Sequence, residues 1–329
     1  MSKKIIFLIF VLLFTFFGLK YLNEGKDLIK IVKLAKLNFF LLALLLQVVF
    51  YFFYSVLHQK ILAIYKINWS LEKVASLVLG SLFVSLLVPL GSLAGSSVFI
   101  TAGKKEQISK TKSSSAVLLI LFVDFLSLLV LLCAGFGTLI IKKDVLEYQL
   151  IGLLLFLLMT LGLFVLLVLG QASPKSISKL VDLLHKFVNR FSRFFPTAKM
   201  LSKDWPTKKS EEVIYLSKTF WSNKKTIIRS FWVVLTAHFI ELLVLFFVFM
   251  AFGTVVTPGV LFAGYSIGVL FWIISPTPQG IGIVESVMPL VFVSLGVDIG
   301  VATLTTLTFR GLTIWLPAFL GFFSLKFLV

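Results

Sequence analysis

Long apolar runs separated by short polar connectors make up most of the chain. Runs near the length needed to cross a bilayer, about 20 residues, occur at Ile5 to Leu22, Asn38 to Leu57, Ser113 to Ile141, Tyr148 to Ser173, Ser230 to Phe252 and Ile299 to Leu325. They predict about six transmembrane helices. Two further apolar stretches, Val74 to Gly103 and Thr257 to Gly296, are broken near the middle by Pro and Gly. Proline removes a helix N–H and glycine is a poor helix former, so neither stretch reads as one straight helix. Their arms are short: Val74 to Val88 and Gly259 to Ile274 rise roughly 22 to 24 Å, against a hydrocarbon core of about 30 Å. The pattern predicts two re-entrant hairpins.

Composition fits that reading. The 329 residues are 59% hydrophobic and 14% charged, with mean hydropathy +1.06, whereas soluble domains are about a quarter charged. The fold class is therefore an all-α polytopic membrane protein. Lys3 and Lys4 precede the first run and no small-residue cleavage site follows, which predicts a retained signal anchor. The single Cys133 lies inside an apolar run, which excludes an intrachain disulfide and predicts a buried packing residue.

The net charge of +17 comes from 31 Lys and Arg against 14 Asp and Glu, mostly in the connectors. It reads as topology and contact with anionic lipid, not as nucleic-acid binding. With Lys3 and Lys4 inside and both broken stretches re-entrant, the connectors at 58–73, 103–112 and 171–229 are cytoplasmic and hold most of the cations. A topology in which the first broken stretch crosses gives an equal bias. The short arms and the N-terminal lysines decide for the first arrangement, in the cytoplasmic membrane.

One membrane domain of 1–329 follows, with an N-terminal half 1–170 carrying hairpin 74–103, a connector 171–229, and a C-terminal half 230–329 carrying hairpin 257–296. The hairpins then enter from opposite sides. Pro89, Gly91 and Gly95 precede Asp124, as Pro276, Gly280 and Gly282 precede Arg310, so the halves read as inverted repeats. In the connector, Ile177, Leu180, Val181, Leu184, Val188, Phe191 and Phe195 follow helical spacing opposite Lys179, Lys186, Arg190 and Arg193. That is a basic amphipathic helix, lying on the leaflet or packed under the bundle.

Five ionisable residues fall inside predicted membrane elements: Asp124, His238, Glu241, Glu285 and Arg310. Such residues are costly there and face a partner or a cavity. Glu285 closes the broken stretch SPTPQGIGIVE (Ser275 to Glu285). Beside the last helix it can neutralise Arg310, whose fork of donors also suits phosphate oxygens; a purely structural ion pair is the alternative. Asp124 reads either as an interhelical partner or as a contact for the cationic part of a zwitterionic substrate. His238 and Glu241 lie three apart on one helix face, a spacing for a proton relay, a metal pair or a structural hydrogen bond. No metal centre is expected, because the other histidines, His58 and His185, lie elsewhere in sequence. In PLGSLAGSS (Pro89 to Ser97) the turn and the hydroxyls of Ser92, Ser96 and Ser97 suit an anion, or the small residues serve tight helix packing. The stretch lacks the Gly-Lys-Ser/Thr of a nucleotide loop.

There is no Asp-x-Asp, no His-Glu-x-x-His and no cofactor motif, and the connectors are too short for a catalytic domain, so no enzyme activity or cofactor is expected. Glu24 and Asp27 are the carboxylates on which the alternative function rests, a membrane glycosyltransferase or accessory factor acting on a lipid-linked carrier.

At SPTPQGIGIVES (275 to 286) and TLTFRGLTIWLPAFLG (306 to 321) the chain resembles the flippase-like membrane domain of the lysylphosphatidylglycerol synthase transmembrane family. The resemblance implies site roles for Pro278, Gly280, Gly282, Glu285, Arg310 and Pro317. In the first half, Pro89, Gly95 and Asp124 resemble the earlier motif and acidic position. The charged residue common after that glycine is Ser96 here, and the family's arginine near the aspartate is absent. The family implies movement of phospholipids, polyprenol-linked sugars or hopanoids by a lipid translocase, and Arg310 and Asp124 predict a headgroup that is anionic or zwitterionic. With no nucleotide-hydrolysing motif in the sequence, active transport would need an ion gradient or a protein partner. With the chain ending at Val329, aminoacyl transfer is not expected.

Overall fold

The computed structural model describes residues 35–87, 91–192 and 201–328. The expected first crossing, the lysines before it, Glu24, Asp27 and Pro89 lie outside these. Every regular element among the described residues is helical: α1 Leu37–Ile64, α2 Leu71–Leu87, α3 Gly91–Lys105, α4 Lys110–Ile141, α5 Glu147–Ala172, α6 Pro174–Ser192, α7 Trp205–Ser222, α8 Lys224–Ala251, α9 Pro258–Ile274, α10 Val284–Ser294, α11 Ile299–Arg310 and α12 Leu316–Leu328. A π turn, Gly311–Trp315, joins the last two into one long rod. Leu37–Ile64, Lys110–Ile141, Glu147–Ala172, Lys224–Ala251 and Ile299–Leu325 are long and apolar enough to span a membrane. They coincide with five of the six expected crossings.

Local sequence sets the ends of these helices. Asp298 caps α11, its carboxylate accepting from the Gly300 and Val301 N–H groups at 2.9 and 3.1 Å. Pro258 opens α9 in the first turn, where a missing N–H costs nothing. Both broken stretches fold back on themselves. Arm α3 lies against α2, with Gly95 closing on the Ser81 carbonyl and the Ser85 hydroxyl. Arm α10 lies against α9, where Gly264 meets Phe292 and Gly268 meets Met288. Small residues let the backbones approach in each case.

The halves are placed head to tail. The Lys36 N–H at the start of α1 donates to the Ala251 carbonyl at the end of α8, 2.7 Å away, and Phe39 stacks on Phe247. α1 and α8 therefore run antiparallel along their length. Each hairpin packs on the long helix of the other half: α2 on α12, through Gly80 against Leu325 and Gly321 against the Leu79 carbonyl, and α9 on α4, through Gly259 against Thr138 and Gly135 against Phe262 and Ser266. An inverted repeat gives this reciprocal exchange.

One expectation is corrected. Cys133 is exposed rather than buried; α4 turns Leu131, Leu132, Gly135 and Phe136 inward and leaves Cys133 on its outer face. The connector is packed against the bundle, one of the two placements its sequence leaves open. The α6 helix buries Ile177 and Val181 while Leu183, Leu184 and Phe187 stay exposed, and α7 buries Ser210, Glu212, Leu216 and Ser217 against α5 and α4.

Candidate functional site

The second hairpin builds its apex from strained backbone. After α9 a 3-10 turn, Pro278–Gly280, follows, with Gln279 at φ 53°, Gly280 at 68° and Gly282 at 84°. Only glycine fits at Gly280, where a Cβ would sit 2.7 Å from Val284 and 3.0 Å from the Trp272 Cα. A left-handed Gln279 costs on the order of 1–2 kcal/mol. Its side chain is held by the Trp272 indole N–H, and its carbonyl is aimed at Arg310, whose Nη2 donates to it at 2.5 Å. Gly282 N–H donates to Glu285 Oε2 at 2.7 Å. Arg310 Nε donates to Glu285 Oε1 at 2.7 Å. Guanidinium and carboxylate are each 5% exposed. Among the described residues these bonds use two of the five guanidinium N–H donors, and Arg310 lines a cavity.

The π turn directly after Arg310 has a local cause. Pro317 cannot donate to the Thr313 carbonyl four residues back, and the Tyr51 hydroxyl donates to that carbonyl instead, at 2.6 Å. π turns of this kind occur often at functional sites, and this one directly follows Arg310.

A second group of polar residues lines the same cavity. His238 Nε2 lies 2.9 Å from Asp124 Oδ1. The Tyr265 hydroxyl donates to Glu241 Oε2 at 2.6 Å and lies 3.3 Å from His238 Nδ1. The Tyr54 hydroxyl donates to Asp124 Oδ2 at 3.3 Å. Thus α1, α4, α8 and α9 each contribute. Asp124 and His238 are 2% and 4% exposed, so the cost of their burial is met by one another and by the tyrosines.

Between the two groups lies a cavity of about 150 Å³ lined by Tyr54, Asp124, His238, Glu241, Gln279 and Arg310, with Ser81, Ser85 and Ser96 from the first hairpin. A cavity of this volume is large enough for a molecule the size of benzene, and polar walls make it a place for water or a charged group. Asp124, His238, Glu241, Ser96 and Arg310 all reach it. Glu285, Gly280 and Gly282 act behind it by positioning Arg310 and the Gln279 carbonyl, and Pro278 opens the turn. Gly95 packs α3 rather than lining the space. Of PLGSLAGSS the described residues begin at Gly91 with the first turn of α3, and Ser97 is exposed. Tyr54, Tyr265, Gln279 and Trp272 also line the cavity, and the sequence reading singled out none of them. The sequence Gly264-Tyr265-Ser266-Ile267-Gly268 spells a Gly-x-Ser-x-Gly pattern, but it lies inside α9 rather than on a strand-to-helix turn, and buried Ser266 donates to the Leu131 carbonyl at 3.0 Å.

With this geometry in place, comparison with known proteins is informative. The family described as the lysylphosphatidylglycerol synthase TM region matches residues 3–321. The chain belongs to this family. A UPF0104 membrane protein of Methanocaldococcus jannaschii is 25% identical over 340 aligned positions, which cover 98% of this chain and 94% of the relative. The family match spans both hairpins, the connector and the rod that carries Arg310, so the cavity lies wholly within the shared membrane region. This is a multi-pass membrane protein.

Proposed function

We propose that the protein is a lipid translocase that carries an anionic or zwitterionic headgroup through the cavity while the acyl chains remain in lipid. The observation that supports this most is the buried Arg310, fixed by Glu285 and the Gln279 carbonyl and lining a polar cavity inside an apolar bundle. A phosphate can compete with Glu285 for Arg310, whose guanidinium fork suits phosphate oxygens, while Glu285 Oε2 keeps its bond from the Gly282 N–H. Inverted halves with broken hairpins let such a site face either side in turn. The family's name, the lysylphosphatidylglycerol synthase TM region, links this membrane region to a phospholipid-modifying enzyme, which favours a phospholipid headgroup. The positive-inside rule supports a cytoplasmic connector 171–229 and a cytoplasmic N-terminus in the cell membrane.

Reconstitution tests the reading. Vesicles of phosphatidylethanolamine and phosphatidylglycerol carry a trace of acyl-labelled phosphatidylglycerol, and dithionite quenches label in the outer leaflet. The protein should make inner-leaflet label accessible, Arg310→Ala should abolish this, and Arg310→Lys should restore part of it. Equal label movement with Arg310→Ala would remove the headgroup role.

A further inference from the structure

We infer that Asp124, His238, Tyr265 and Glu241 form a proton-carrying site whose loading drives the lipid movement, an inference that rests on the translocase reading above. Charge balance provides the first argument. Arg310 and Glu285 close on one another, but at the other wall two carboxylates share one imidazole: Asp124 at 2.9 Å and Glu241 at 3.7 Å from His238. Two ionised carboxylates beside a neutral imidazole would leave an uncompensated double charge in a buried site, at several kcal/mol per ion. The cluster therefore holds at least one proton, and among the described residues no group of three ligands suits a metal ion there.

Connectivity provides the second. The four side chains form an unbroken path: Glu241, the Tyr265 hydroxyl, His238 Nδ1, His238 Nε2, Asp124. Starting with the proton on Glu241, the carboxyl O–H passes its proton to the Tyr265 oxygen. The Tyr265 proton passes to Nδ1, and the Nε2 proton passes to Asp124. One O–H bond forms on Asp124 as one breaks on Glu241, the imidazole changes tautomer, and the net charge is unchanged. The path runs from the first half, at Asp124 on α4, to the second half, at Glu241 on α8. It also includes Tyr265 on the hairpin arm α9, so proton occupancy alters the attraction between elements that must shift when the cavity changes sides. The other titratable or charged groups facing it are Tyr51, Tyr54 and His58 on α1, and Arg310 on α11 with Glu285 behind it on α10; α7 contributes none to the described lining. His58 is occupied by the Tyr54 carbonyl at 2.9 Å.

The test separates the proton site from the translocase. The infrared band of protonated carboxyl groups is followed while the purified protein is titrated in detergent. A pH-dependent band that shrinks in Asp124→Asn and in Glu241→Gln supports the site; no band, or one unchanged in both variants, overturns it whether or not lipid moves. In the labelled vesicles, coupling of one proton per lipid shifts the steady-state lipid distribution by up to about tenfold per unit of imposed pH gradient. His238→Gln should lose this dependence. If His238→Gln does not fold, Tyr265→Phe, which removes only the relay hydroxyl, should lose it likewise. Wild-type lipid movement that ignores the gradient overturns the coupling and leaves the translocase standing. Absence of any wild-type lipid movement overturns the translocase, and with it the coupling, while the band still decides the proton site.

Discussion

The two hairpins share a plan but are fastened at opposite ends. The first is tied at its base: Glu106, just past α3, accepts from the Trp69 indole at 2.6 Å and pairs with Lys73 at the start of α2, while Lys73 sits over the Trp69 ring. Its inner wall offers serines, two of which bond locally, Ser81 to the Val78 carbonyl and Ser85 to the Ser81 carbonyl. The second hairpin is tied at its apex by the buried Glu285–Arg310 pair and a strained turn. An exposed clamp permits adjustment, whereas a buried charge pair is close to all-or-none. On the proposed translocase reading, the contrast gives ligand-dependent chemistry to the second hairpin and a more passive wall to the first.

The largest expected effect tests that division directly. Glu285→Ala leaves Arg310 buried without its counter-ion and should cost about 3–5 kcal/mol of stability. Ser85→Ala removes only a local back-bond and should stay within about 1 kcal/mol. Thermal unfolding in one detergent compares them, and similar losses would break the contrast. Next come the reciprocal contacts that bind each hairpin to the other half. A Cβ at Gly321 would strike the Leu79 carbonyl, and one at Gly135 the Phe262 carbonyl, backbone atoms that cannot swing aside. Gly321→Ala and Gly135→Ala should each cost about 1–3 kcal/mol. At Gly80 the obstacle is the Leu325 side chain and at Gly259 it is Thr138, so alanine there should cost less. Gly137→Ala, with nothing nearby, is the control. Matching rank orders at the two contacts would support the inverted relation, and a large loss at only one would argue against it.

How much of this was legible follows from where each signal resides. The crossings and hairpins could be read because apolar length and Pro/Gly breaks are local properties. Glu285 and Arg310 could be paired because few charges interrupt the second half and the hairpin returns toward the last helix. Asp124 was visible as a misplaced charge, but its partner was not: His238 is 114 positions away, and they meet only because α4, α8 and α9 converge across the halves. Tyr54 and Tyr265 look like ordinary aromatics in apolar runs until their hydroxyls find carboxylates. The side on which Cys133 falls was unreadable for another reason. In a spanning helix the lipid face and the core face are both apolar, so hydropathy has little power to orient α4.

The smallest expected effect concerns the base of the first hairpin. Hydrogen bonds from Lys73 and from Trp69 hold the Glu106 carboxyl below the usual carboxylate range. A carboxyl whose folded value is depressed adds stability above its unfolded value and loses that contribution as pH falls through the folded value. The group is largely exposed, so screening keeps the contribution within about 0–1 kcal/mol. Glu106→Gln should therefore lower the unfolding temperature slightly at neutral pH, and the gap from wild type should close on acidification through the depressed value. High salt should narrow it too, because an exposed pair is screened. A gap that persists unchanged in acid would mean that Glu106 acts through packing of its stem rather than through its charge. The clamp at the first hairpin would then be no more adjustable than the lock at the second.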